Sequence, residues 1–152
     1  MDERIEQFWQ AYLATLPEGR RPTTYRAESW GDNPQLADEL AALIISGKKT
    51  ATCSALWEWE AEGEPIPQVG LKTILLSSVG EPLAVLETTE VSIRAYQEVD
   101  AQFAHDEGEG DLTLQSWREG HWRFFDRTLA RIGKKPMLDM PLVCERFRVV
   151  YR

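Results

Sequence analysis

Residues 33–54 read NPQLADELAALIISGKKTATCS, and the fold turns on this stretch. Its first half predicts an amphipathic helix. Asn33 can cap the orphan amides, Pro34 suits the first helical position, and Leu36, Leu40, Leu43 and Ile44 recur at helical spacing. Gly47 supplies the stop, because glycine enters the left-handed region without steric cost. A strand of small, β-tolerant residues then opens with Lys48, Lys49, Thr50 and Thr52, so two ammonium groups and two hydroxyls meet at a helix-to-strand junction. Residues three apart on a straight strand face opposite sides. Lys49 and Thr52 can therefore act together only if the chain turns or bulges at Lys49-Thr50, which Gly47 permits.

On the N-terminal side, Ile5, Phe8, Trp9, Tyr12, Leu13 and Leu16 predict a helix over 3–16 that ends at Pro17-Glu18-Gly19. A short strand is expected over 23–25. On the C-terminal side, 51–59 alternates as a strand, with Trp57 and Trp59 on one face and Glu58 and Glu60 on the other. Further strands are expected at 71–77, 83–93 and 141–151. In the last of these Val143, Glu145, Phe147 and Val149 alternate with Arg146 and Arg148. Helices over 100–106 and 113–132 fall between the last two strands. Strands with interspersed helices, without repeat or linker, predict one α+β domain over 1–152. Within it, 1–20 forms a helical extension and 23–152 the core.

Composition narrows the function classes. At 152 residues and 43 % hydrophobic content the chain can bury one core, and its six tryptophans will dominate the surfaces they cover. A net charge of -8 weighs against duplex DNA, whose binding rests on phosphate neutralisation, but leaves room for a local pocket holding a nucleoside or short single-stranded RNA. The start, Met1-Asp2-Glu3-Arg4, is charged and has no apolar signal region, and no run is long enough to cross a bilayer, so a cytoplasmic protein without membrane contact is expected. Cys53 and Cys144 form no Cys-x-x-Cys pair and read as small buried hydrophobes. No clustered histidine pattern supports a permanent metal site.

Gly47-Lys48-Lys49-Thr50-Ala51-Thr52 resembles the Gly-x-Lys-Thr-x-Thr signature of the ASCH (activating-signal-cointegrator homology) domain family. A later turn, Glu107-Gly108-Glu109-Gly110-Asp111, stands before an aromatic helix and strengthens the likeness, which covers Trp30 to Arg152 and looks closest to a branch long catalogued as a domain of unknown function. The resemblance implies a small PUA-like β-barrel flanked by helices, with the N-terminal helix as an addition. It also implies a nucleotide- or RNA-binding protein, and characterised relatives hydrolyse N4-acetylcytidine with the motif lysine and threonine and a glutamate. Carried over, these are Lys49, Thr52 and either Glu107 or Glu109, with Glu109 favoured. No cofactor is expected for that reaction. The alternatives are a ribonuclease, for which a divalent ion such as manganese would enter, and a non-catalytic RNA-binding module; a monomer and a homodimer suit all of them.

Other side chains are candidates for ligand contact. Lys48 and Thr50 flank the motif lysine, Trp57 could stack a base alongside Trp59 and Trp30, and Arg118 could pair a carboxylate or phosphate. His121 lies on the stripe Leu114, Trp117, His121, Phe125, which suits a core residue but also brings an imidazole near the acidic turn. Asp111 reads as the N-cap of the long helix, leaving Glu107 and Glu109 without structural duty. A neutral Lys49 could attack a carbonyl or activate such an attack, and its removal is expected to leave folding intact.

Overall fold

The computed structural model describes residues 2–152, so Met1, the first residue of the expected extension, lies outside the described residues. Asp2 caps α1 (Glu3–Leu13), its carboxylate accepting from the Arg4 amide at 2.9 Å. The helix stops short of residue 16, because single tightened turns at Thr15 and Leu16 lead into Pro17. Its Trp9 and Tyr12 are buried against Ile74 and Val85.

β1 (Arg26–Glu28) lies just after the expected 23–25. Asn33 caps α2 (Pro34–Ile45) as its sequence requires, accepting from the Leu36 amide at 2.9 Å. Gly47 adopts φ +84°, which lets the amides of Lys48 and Lys49 bond back to the Leu43 carbonyl before the chain enters β2 (Ala51–Ala55). The expected strand over 51–59 ends at Ala55. Residues Leu56–Glu62 form α3, rich in helix-forming Leu, Glu and Ala and closed by Gly63 at φ +67°. Two residues on a helix are separated by roughly 200°, so Trp57 and Trp59 diverge instead of sharing a face.

β3 (Lys72–Leu76), β4 (Pro82–Ala95) and β5 (Pro141–Tyr151) follow the expected strands closely. Between the last two come α4 (Ala101–Asp106), capped by Asp100, and α5 (Leu114–Leu129). The N-cap of α5 is Thr113, accepting from the Ser116 amide at 3.1 Å, whereas Asp111 sits two residues back and accepts from the Thr113 amide at 3.0 Å. One mixed sheet results, in the order β1-β3-β4-β5-β2, with β1 parallel to β3 and the other pairs antiparallel. It curls into a half-barrel flanked by five helices, the α+β architecture expected. Successive residues of a strand face opposite sides. Ile74 and Val85 therefore meet α1, while Leu75, Ala84 and Leu86 meet Ala41 and Ile44 of α2. A third cluster joins Ala51, Leu142 and Cys144 to Phe103, Trp117 and Phe125 of α4 and α5. Among the described residues, no helix is long and apolar enough to cross a membrane.

Candidate active site

β2 ends the sheet, so one of its edges has no strand partner. That edge is met by a side chain: the Lys49 ammonium donates to the Ala51 carbonyl at 2.9 Å. Lys49 is 1 % exposed, although a lysine head is rarely buried without partners. Its partners come from the loop between α4 and α5. The ammonium contacts the Glu107 carbonyl at 3.3 Å, Glu107 Oε1 at 3.0 Å and Glu109 Oε2 at 2.8 Å. The loop approaches this closely because of Gly108, at φ +71°, whose missing Cβ would overlap the Lys48 carbonyl and lie 2.9 Å from the Lys49 Cα.

The two glutamates differ in kind. Glu107 is 1 % exposed and its second oxygen accepts from the Trp117 indole, from His121 Nε2 at 3.1 Å and from the Cys53 thiol at 3.4 Å. Burial alone would raise its carboxyl, but the charges of Lys49 and His121 outweigh burial and hold it well below the usual range. Glu107 therefore has the structural duty that its sequence context hid. The Glu109 side chain is 31 % exposed and is tied to the network through Lys49.

His121 stacks on Trp117 at 4.2 Å between centroids. Its Nδ1 faces the Trp117 carbonyl at 2.9 Å while Nε2 faces the Glu107 carboxylate. Both neighbours are acceptors, so both nitrogens carry protons and the ring is an imidazolium. Burial pulls its affinity for the proton down, and the Glu107 charge raises it by more. For Lys49 too, burial works against the charge, and Glu107 and Glu109 together overcome it, so the lysine is held protonated. Two cations thus face two anions, and the expected neutral lysine gives way to a fixed ammonium.

Cys53, Glu107 and His121 place donor atoms within 4.8 Å of one another, a spacing that a metal ion could use. The set does not fit one. Glu107 is already engaged by Lys49, Trp117 and His121, and a dication there would stand beside two fixed cations. The Cys53 thiol is pushed well up by burial and by the Glu107 charge, so it stays a neutral donor.

These groups open on a cleft of about 550 Å³, in the range that holds small ligands. Lys49, Thr52, Glu107, Glu109 and His121 all line it, joined by Trp30 and Trp59. Lys49 and Thr52 share this cleft without the turn expected at Lys49-Thr50: the chain turns earlier, at Ser46-Gly47 with a bend at Lys48. Four expected ligand contacts lie elsewhere. Lys48 is exposed, and Thr50 turns to the Asp106 carbonyl, which accepts from its amide at 2.8 Å. Trp57 packs on the hydrophobic cluster of α5 with the Lys134 ammonium 5.1 Å above its ring. Arg118 is one residue beyond Trp117 and therefore off the cleft face of α5, where Arg127 stands instead, paired to Asp32 at 2.9 Å. Sequence reading also passed over Glu145 and Glu28, which line the cleft. The signal for Glu145 was there: a charged residue alternating with Val143 and Phe147 on an inward strand face.

Comparison with known proteins follows the same outline. Residues 26–151 match the family model of the ASCH domain. An ASCH domain of Lactobacillus crispatus JV V101 is similar in structure at 36 % identity and a TM-score of 0.94, covering 100 % of this chain and 97 % of that one. A protein of Enterococcus faecalis V583, grouped with a domain-of-unknown-function family, superposes with a TM-score of 0.90 at 36 % identity, over 99 % of this chain and 90 % of that one. No curated protein matches the sequence.

Proposed function

This chain belongs to the ASCH domain family, and on that premise we propose that it is a nucleoside amidohydrolase acting on an N4-acetylcytidine-type amide, free or in short single-stranded RNA. The observation that supports this reading best is the Lys49 ammonium in a nucleoside-sized cleft, held between one saturated and one accessible glutamate. Amide hydrolysis needs a fixed positive charge for the developing oxyanion and a mobile proton acceptor, and these two environments suit those two tasks.

In this mechanism the Thr52 hydroxyl, or a water in its place, attacks the acetyl carbonyl carbon. Glu109 takes the proton of the attacking group, and as its charge is neutralised its hold on Lys49 loosens. The ammonium donor so released turns to the oxyanion. Glu109 then returns the proton to the exocyclic nitrogen as the C–N bond breaks, leaving cytidine, and water frees acetate. Glu107 stays ionised throughout and keeps Lys49 and His121 charged. No metal ion enters any step.

Incubation of the protein with N4-acetylcytidine, followed by chromatography, should yield cytidine and acetate. Glu109→Gln should slow turnover by about 10²–10⁴ with binding largely kept, since proton transfer acts in the transition state. Cleavage of unstructured RNA, with or without manganese, in place of deacetylation would overturn the reading in favour of a ribonuclease. Binding of cytidine without turnover of either substrate would make the protein a binding module.

A further inference from the structure

Glu145 is a buried carboxyl of the cleft that the proposed chemistry leaves unused. It lies on β5, 9 % exposed, between the buried Val143 and Phe147. In register it stands directly opposite Thr52 of β2, so both side chains rise from the same face of the sheet. The Thr88 hydroxyl donates to its Oε1 at 3.4 Å, and the residue lines the cleft. Curling of the sheet brings β1 across from it. Glu28 of that strand lines the same cleft and accepts from the Trp30 indole at 2.9 Å, while the Arg26 guanidinium lies 5.2 Å over the Trp59 ring.

The charged groups facing Glu145 are thus Glu28 and Arg26 from β1, with the hydroxyls of Thr88 on β4 and Thr52 on β2. Burial, then the Glu28 charge, push its carboxyl up to about 7 against the opposing pull of Thr88 and Arg26. A neutral carboxyl presents one donor and one acceptor in a single plane. That fork complements a ring-nitrogen acceptor beside an exocyclic N–H. Trp30 and Trp59 line the same space and offer apolar faces to such a ring.

We propose that Glu145 is the substrate-recognition residue of this cleft, its carboxyl holding the ring-nitrogen and exocyclic N–H edge of a cytosine-type base while Thr52, directly opposite, meets the acyl group on that same nitrogen. The assignment rests on the amidohydrolase reading and adds to it the residue that positions the base. The exocyclic nitrogen of an acylated cytosine keeps one hydrogen, so one edge can satisfy Glu145 while the acyl group points to the motif.

The test compares wild type, Glu145→Ala and Glu145→Gln for kcat and KM on N4-acetylcytidine, and for calorimetric binding of cytidine, at about pH 6 and about pH 8. Loss of a buried hydrogen-bonding group should raise KM and the cytidine Kd by about 10–100-fold in Glu145→Ala, with a smaller change in kcat. Glu145→Gln, which keeps a planar donor and acceptor, should recover most of that loss. Wild-type affinity should fall between the two pH values as the carboxyl gives up its proton, and the affinity of Glu145→Gln should not. Wild-type turnover with an unmoved KM and Kd in Glu145→Ala would overturn this assignment alone. The same pH-dependent fall in wild type and Glu145→Gln would also overturn it, and decides the matter if Glu145→Ala does not fold. A wild-type protein that neither deacetylates N4-acetylcytidine nor binds cytidine removes the amidohydrolase reading and this assignment with it.

Discussion

Lys49 has no solvent to answer its charge, so its three protons are shared among four oxygens, two of them from carboxylates. Removing one partner of a buried pair strands the other, which costs more than the pair contributes. The expectation that Lys49 can be deleted without harm to folding therefore gives way. Lys49→Met should lower stability by about 3–5 kcal/mol in chemical denaturation, and Glu107→Gln added to it should restore part of the loss because the stranded carboxylate is gone. Lys48→Ala, on an exposed side chain, should stay within about 0.5 kcal/mol of wild type. A Lys49→Met protein as stable as Lys48→Ala would mean that Glu107 ionises without its lysine. The Gly-Lys-Lys-Thr run made Lys49 legible as a site residue. Its burial was not legible, because the partner that permits it lies 58 residues away in sequence.

At the scale of elements, the site depends on one close approach, that of the 107–111 loop to the end of α2. Gly108 and Gly47 both have positive φ, yet their surroundings differ. A Cβ at Gly47, φ +84°, would meet nothing within 4 Å, whereas one at Gly108 would overlap the Lys48 carbonyl. Gly47→Ala should then cost only the left-handed penalty, about 1–2 kcal/mol, with turnover kept. Gly108→Ala should cost more than that and lose turnover as well, because the loop that carries Glu107 and Glu109 must move away from Lys49. Thermal melts with parallel deacetylation assays distinguish the two, and equal turnover in both variants would show that the loop position is not critical. The alternating glycines were legible as a tight turn, but which glycine pressed on what was not. The β2–α3 boundary was misread for a related reason. Trp-Glu-Trp-Glu satisfies a period of two as well as it suits a helix, and the helix-forming Leu, Glu and Ala, the Gly63 stop and the Trp59–Ser54 bond at 2.8 Å together favour the helix.

For the molecule as a whole, the strands of the long antiparallel pair were legible because β5 alternates clearly and runs to a defined start at Pro141. The parallel pairing of β1 with β3 was not, since pairing between segments so far apart leaves no local pattern. The same curl that brings β1 over the cleft sets Glu28 against Glu145, and this has a consequence for global stability. Burial and the Glu28 charge push the Glu145 carboxyl up to about 7 in the folded protein, from the 4.5 of an ordinary glutamate. Between those values the folded state binds more protons than the unfolded chain, so this group's contribution is fully present below about pH 4.5 and is lost as pH rises to about 7. Glu145→Gln cannot ionise and escapes that loss. Its stability relative to wild type should rise across the window and level off above about pH 7, by on the order of 2–4 kcal/mol for a shift of this size. Denaturant unfolding of both proteins without ligand, from about pH 4 to about pH 8, measures the difference directly. A difference that stays flat with pH would mean that Glu145 ionises in the folded cleft as it does in the open chain, and the neutral carboxyl would have to be abandoned.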